Sequence, residues 1–67
     1  MNKKELKAIL KSESKDNKIG FILSSRASLK HDNRLNTNKE YYNYVFNEYE
    51  LMDINEINTQ FSFYINN

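Results

Sequence analysis

The chain has 67 residues with one histidine, one glycine, no proline and no cysteine, and its formal net charge is +1. A chain of this length forms one domain at most and buries only about 60% of the surface that its unfolded form exposes. Without cysteine it has no disulfide and no thiolate metal site, so oligomerisation or docking on a larger partner is the remaining source of extra stability. No segment approaches the roughly 20 apolar residues that cross a bilayer, and no apolar run follows the first lysines as in a secretory signal, which predicts a cytoplasmic protein.

The small net charge hides a division of the domain into two halves. Residues 1–39 hold all ten basic side chains and four acidic ones, whereas residues 40–67 hold five acidic side chains and no basic one. Eight of the nine aromatic residues also lie between positions 41 and 64. Charge asymmetry of this kind indicates charged partners without naming one.

The first predicted element is a helix over residues 3–13. Asn2 followed by Glu5 is a capping-box pattern, and Leu6, Ile9 and Leu10 have the spacing of one helical stripe. The lysines take the remaining faces and are interpreted as distributed round the helix: Lys3, Lys4, Lys7 and Lys11. The polar residues 14–18 interrupt the pattern and predict a turn.

Residues 19–23 form a short apolar run, which suits either a strand or a helix. A helix would place Ile19, Ile22, Leu23 and Ala27 on one face. Gly20 costs a helix interior about 1 kcal/mol relative to alanine, and this favours a strand. The Asn-rich stretch 31–39, with Leu35 as its one apolar residue, predicts a loop.

Residues 41–52 are ambiguous between helix and strand. A helical stripe runs through Tyr42, Val45, Phe46, Tyr49 and Met52, whereas the aromatic and β-branched content favours a strand. Residues 60–65 alternate Phe61, Phe63 and Ile65 with polar neighbours and predict a strand. The sum is an α+β fold: one small domain over residues 1–67, with the N-terminal helix packed on a short antiparallel sheet.

Catalytic and metal chemistry have little support in this sequence. His31-Asp32 is the one place for a general base, but neither a nucleophile motif nor a pocket is indicated, and the ordinary interpretation is a solvated loop histidine. The ligand spacings of known metal sites and the glycines of phosphate-binding loops are lacking. We therefore expect a protein that is not an enzyme and needs no cofactor or metal.

The acidic, aromatic half predicts a surface that binds another protein. Tyrosine is enriched at interfaces, and carboxylates beside such rings complement a basic groove. A nucleic-acid-processing enzyme offers such a groove. We therefore expect an inhibitor or modulator of the phage or mobile-element type, which covers a basic surface of such a larger protein. The predicted contact residues are Tyr41, Tyr42, Tyr44, Glu48, Tyr49, Glu50 and Asp53.

The basic half supports a second hypothesis, a small nucleic-acid-binding regulator whose cations neutralise phosphates. Its predicted contacts are Lys3, Lys4, Lys7, Lys11, Arg26, Lys30 and Arg34. Two further interpretations stay open: exposed aromatic residues that pair in a homo-oligomer, and two halves that fold against each other and neutralise their charges in weak surface pairs. Neither the identity of the partner nor folding in its absence follows from the sequence.

Overall fold

The computed structural model describes residues 2–29 and 31–66 and shows an all-helical protein. Its five helices are α1 (Lys3–Ser12), α2 (Lys15–Ser28), α3 (Arg34–Thr37), α4 (Lys39–Glu50) and α5 (Ile54–Ile65). These two described ranges contain no strand and no sheet, so the predicted α+β fold with an antiparallel sheet is wrong.

Helix α1 is the element that sequence reasoning predicted correctly. The Asn2 side chain accepts a hydrogen bond of 2.8 Å from the backbone N–H of Glu5, and the Glu5 carboxylate accepts one from the Asn2 amide. The first of these bonds satisfies a backbone donor at the helix start that lacks an intrahelical partner, and the second joins the two side chains. The helix ends at Ser12, one residue before the predicted end.

Helix α2 replaces both the predicted turn at 14–18 and the predicted strand at 19–23. Ser14 is its N-cap, with the hydroxyl accepting a hydrogen bond of 3.1 Å from the backbone N–H of Asn17. The helical alternative was correct, because all four apolar residues of its stripe are buried: Ile19, Ile22, Leu23 and Ala27. Burying a large apolar side chain contributes about 1.5–3 kcal/mol, which outweighs the cost of Gly20.

Helices α3 and α4 account for residues 34–50. The predicted loop at 31–39 contains α3, whose Leu35 is buried, and the start of α4, where the Asn38 side chain caps the backbone N–H of Tyr41 at 3.0 Å. The ambiguous stretch 41–52 is helical over most of its length. Its predicted stripe faces inward: Tyr49 is buried, and Tyr42, Val45, Phe46 and Met52 pack half-buried against the core.

Helix α5 replaces the predicted strand at 60–65. Asp53 caps its start by accepting a hydrogen bond of 2.7 Å from the backbone N–H of Asn55. Ile57 and Phe61 are buried at helical spacing, whereas Phe63 is 58% exposed. Phe61 and Phe63, which the sequence pattern placed on one face of a strand, therefore lie on different sides of α5.

Helix α2 lies at the centre of the packing. It runs parallel to α5, as shown by the Lys18–Asn58 hydrogen bond and by the Phe21–Phe61 ring contact three residues further along both helices. Residues 51–53 join α4 to α5, and both of these helices pack against α2. The buried apolar core consists of Ile19, Ile22, Leu23, Ala27, Leu35, Tyr49, Ile57 and Phe61.

Helix α1 contributes no fully buried residue and packs at the edge of this core through Ile9 and Leu10. The buried Lys18 links it to the other helices. The ammonium group donates hydrogen bonds to the Leu10 carbonyl at 2.8 Å and to Asn58 Oδ1 at 2.7 Å. One side chain of α2 thereby connects the end of α1 with the middle of α5.

Candidate functional site

The outward side of α4 combines apolar and acidic residues in one stripe. Glu40, Tyr44 and Glu48 recur at intervals of four residues, which places them on one side of α4. Leu51 follows three residues later as the C-cap of α4, and its backbone is still helical, so it lies on the same side. All four are exposed. Tyr44 is 55% exposed and Leu51 is 84% exposed. We name this set of four residues the docking face.

Further acidic and apolar groups lie next to the docking face along the chain. Ile54, the first residue of α5, is 43% exposed. Glu50, Asp53 and Glu56 carry exposed carboxylates around the same turn. Within residues 2–29 and 31–66, Asp32 is the one carboxylate that lies within 4 Å of a cation, and its partners are Arg26 and Arg34. Among the described residues, the carboxylates of the second half therefore make none of the close surface ion pairs that mutually neutralising halves would form.

Three of the predicted contact residues lie inward. Tyr49 is buried, accepting a hydrogen bond of 2.9 Å from Arg26 and donating one of 2.6 Å to Gln60. Tyr42 is half-buried against the core, with its ring centroid 6.2 Å from that of Phe46. Tyr41, half-buried as well, belongs to a polar cluster around Asp32. All three side chains are therefore less exposed than that of Tyr44.

The polar cluster around Asp32 joins the loop after α2 to α3 and α4. Tyr41 donates its hydroxyl proton to Asp32 Oδ2 at 2.5 Å, and Arg26 Nη2 lies 3.4 Å from the same oxygen. The Arg34 guanidinium stacks 4.1 Å from the centre of the Tyr41 ring and donates to its hydroxyl at 3.0 Å. Each charged group here has a partner within the chain, which is typical of a structural network.

The cluster shifts the pKa of two of its members in opposite directions. The hydrogen bond from Tyr41 is the main cause that holds the pKa of Asp32 below its ordinary value, with further contributions from the Arg34 backbone N–H and the two guanidinium groups. The same hydrogen bond raises the pKa of Tyr41. Both shifts favour the pair of a neutral phenol and a carboxylate at neutral pH.

We expect the Asp32 cluster to make the fold sensitive to acid. Because the folded pKa of Asp32 is lowered, its stabilisation is present above the ordinary pKa of 3.8 and is lost as the pH falls through the folded value. Asp32→Asn should therefore be less stable than the parent chain at neutral pH, and the difference should shrink on acidification. Urea denaturation midpoints between about pH 2 and 6 measure it. Glu50→Gln, at an exposed carboxylate, is the control. A difference that is constant with pH would contradict the expectation.

Two more of the predicted contact residues have structural roles at the turn after α4, Asp53 through its side chain and Glu50 through its backbone carbonyl alone. The backbone carbonyls of Glu50 and Met52 accept hydrogen bonds from the Lys15 ammonium at 2.6 and 3.1 Å, and Asp53 caps α5. Tyr44 and Glu48 are thus the members of the predicted set that form the docking face. Leu51 was missed, although the helical alternative places it seven residues after Tyr44, away from the inward stripe.

The predicted nucleic-acid contacts also separate into two groups. Arg26 and Arg34 are engaged by Asp32 and by tyrosine rings. The four lysines of α1 are exposed. Lys30 lies outside the described residues. Among the described residues, the predicted cations therefore do not form one site, and the α1 lysines are a separate group.

The residues considered for general-base catalysis and metal binding are not arranged as a catalytic or metal site in the described part of the chain. The His31 ring is exposed and contacts Tyr64, with Nδ1 at 3.1 Å from the tyrosine hydroxyl, while its neighbour Asp32 is held by the polar cluster. Among the described residues, no three His, Cys, Asp or Glu side chains are grouped to hold a metal ion.

An open cavity of about 300 Å³ lies along α5, lined by Asn55, Glu56, Thr59 and Gln60. None of the described helices has the length and apolar character to cross a membrane.

Comparison of the chain with protein-family models, with curated proteins and with solved structures finds no match in any of the three.

Proposed function

We propose that this chain is a protein-binding module that inhibits or modulates a larger protein by covering a basic part of its surface. The observation that carries the proposal is the docking face, where Leu51 is 84% exposed and Tyr44 is 55% exposed on the same side of α4 as Glu40 and Glu48. An exposed apolar pair with an acidic surround matches a partner with an apolar groove bordered by lysine and arginine.

The two apolar side chains would supply most of the binding free energy. Burial contributes about 25 cal/mol for each Å² of apolar surface removed from water, and a few residues dominate a typical interface. Tyr44 and Leu51 are seven residues apart, which is a common spacing for anchors of a helix that lies in a groove. The carboxylates of Glu40 and Glu48 would mainly accelerate association with a basic partner and orient the helix.

The inner side of α4 holds the docking face in place, so few side chains and little backbone would have to become ordered on binding. Val45 and the buried Tyr49 anchor the inner side of α4, and Tyr49 is fixed to Arg26 and Gln60 by hydrogen bonds. The Lys15 ammonium holds the carbonyl of Glu50 immediately before Leu51. A surface that is rigid before binding loses less conformational entropy in the complex.

The test is a quantitative pull-down with the tagged chain from a nuclease-treated lysate of the source cells, comparing the parent with single variants. We expect a basic protein that the parent recovers in near-stoichiometric amount, and at least about tenfold weaker binding after Tyr44→Ala or Leu51→Ala, as for interface anchors. Glu48→Lys should slow association and weaken its dependence on salt.

Leu29→Ala is the matched control, because Leu29 is also an exposed leucine, 46% accessible, but lies at the end of α2. Binding that falls equally in Leu51→Ala and Leu29→Ala, or that changes in neither, would reject the docking face. Circular dichroism of each variant separates loss of binding from loss of folding.

A further inference from the structure

The four lysines of α1 lie on one side of the helix, contrary to the sequence interpretation that distributed them round it. Lys3, Lys7 and Lys11 follow each other at intervals of four residues, and Lys4 precedes Lys7 and Lys11 by three and seven. At 3.6 residues per turn, the four positions fall within an arc of about 100° and extend about 12 Å along the axis. We name this set of four residues the lysine stripe.

The charges of the lysine stripe are free to meet an external anion. All four side chains are exposed, and within the described part of the chain no carboxylate lies within 4 Å of their ammonium groups. Glu5, the one acidic residue of α1, holds its carboxylate against the Asn2 amide at 3.2 Å. The stripe is therefore a concentrated positive surface on a protein whose net charge is only +1.

The apolar side of α1, which adjoins the lysine stripe where Leu10 neighbours Lys3, is already used for packing. Ile9 and Leu10 pack against the core, and the carbonyl of Leu10 is held by Lys18. An amphipathic helix that lies in a membrane must insert its apolar side into the lipid, and here that side packs against the core and is partly buried. The geometry favours a polyanion that contacts the charged side alone.

We propose that the lysine stripe binds the phosphate backbone of a nucleic acid, without reading its bases. A length of about 12 Å corresponds to three or four phosphates of one strand, which follow each other at about 3.4 Å along the helix axis of DNA. Lysine is a compact cation that contacts phosphates as a point charge, and such contacts carry no sequence information. This site is independent of the docking face, so either proposal can fail alone.

The experiment measures the fluorescence anisotropy of labelled DNA, duplex and single-stranded, titrated with the full chain at several salt concentrations. Four phosphate contacts predict a slope of log K against log salt concentration near −3.6 for a duplex and near −2.8 for a single strand, estimated as about −0.9 and −0.7 per contact. Between about 50 and 200 mM salt, the affinity should fall about 150-fold for the duplex and about 50-fold for the single strand.

Two single variants that each remove one positive charge give a matched comparison. Lys7→Gln lies in the stripe, and Lys39→Gln lies at the exposed first residue of α4. Lys7→Gln should reduce the magnitude of the duplex slope by about 0.9, whereas Lys39→Gln should leave it unchanged. Glutamine is nearly as good a helix former as lysine, so α1 should persist in both.

The variant with all four stripe lysines changed to glutamine should abolish binding at about 50 mM salt while keeping the helical circular dichroism signal. The proposal is overturned if the parent gives no anisotropy change at low salt, or if Lys7→Gln and Lys39→Gln have equal effects. Binding to vesicles of anionic phospholipid in the absence of binding to DNA would overturn it in favour of a membrane surface.

Discussion

Replacing Lys18 with methionine is expected to lower the free energy of unfolding by about 1–3 kcal/mol, the usual cost of leaving buried polar groups without a partner. The side chain is 3% exposed, and its ammonium group satisfies the Leu10 carbonyl and the Asn58 amide oxygen. Methionine fills a similar volume but donates to neither oxygen. For a domain of this size the melting temperature should fall by about 5–20 °C.

The loss should be largest at α1, because this helix has little else that attaches it. No α1 residue is fully buried, and its described contacts with the core are those of Ile9 and Leu10. Amide hydrogen exchange should therefore show that α1 loses protection before α2 and α5 do. Since α1 carries the lysine stripe, its attachment also sets the orientation of the proposed nucleic-acid surface.

Lys11→Met is the control, because it removes the same charge from an exposed site, where substitutions usually change stability by less than about 0.5 kcal/mol. Asn58→Leu in the Lys18→Met background should recover part of the loss, since it replaces the second partner of the pair by an apolar group. Equal melting temperatures for Lys18→Met and Lys11→Met would contradict the role that the structure gives to Lys18.

Local signals were sufficient for α1 and insufficient for the helices in the core. In α1 the cap at Asn2 and the apolar spacing agree, so one interpretation remained. In α5 the polar Ser62 between Phe61 and Phe63 gave the alternating pattern of a strand. Asp53 with Glu56 three residues later nevertheless has the capping-box spacing of a helix start. Short apolar runs carry little periodicity, and the packing partner determines their structure.

The docking face was predictable only in part, because local sequence patterns indicate some of its residues and the tertiary fold decides the others. Tyr44 and Glu48 follow from the composition of residues 40–53, but the exposure of Leu51 depends on α4 being a helix. The inward tyrosines were counted as surface residues because their partners are distant in sequence. Tyr49 is fixed by Arg26 and Gln60, and Lys15 reaches the carbonyl of Glu50. Such contacts arise from the tertiary fold and leave no local pattern.

Gly20 is where the sequence evidence was most misleading, and it gives a direct test of the fold. Gly20→Ala is expected to raise the free energy of unfolding by about 0.5–1 kcal/mol, because glycine is the costlier residue inside a helix. Apart from its chain neighbours and the backbone of its own helix, a Cβ atom at this position would meet no atom within 4 Å, so no packing contact requires the glycine. The melting temperature should rise by about 2–8 °C.

Comparison with Gly20→Val distinguishes a helix from a strand at residues 19–23. In a helix alanine is preferred over valine, whose branched side chain loses rotamer freedom, whereas in a strand valine is preferred. We therefore expect Gly20→Ala to melt at a higher temperature than Gly20→Val in matched thermal scans. The reverse order would mean that the backbone of this segment is extended, and the burial of Ile19, Ile22 and Leu23 on one side of α2 would then need another explanation.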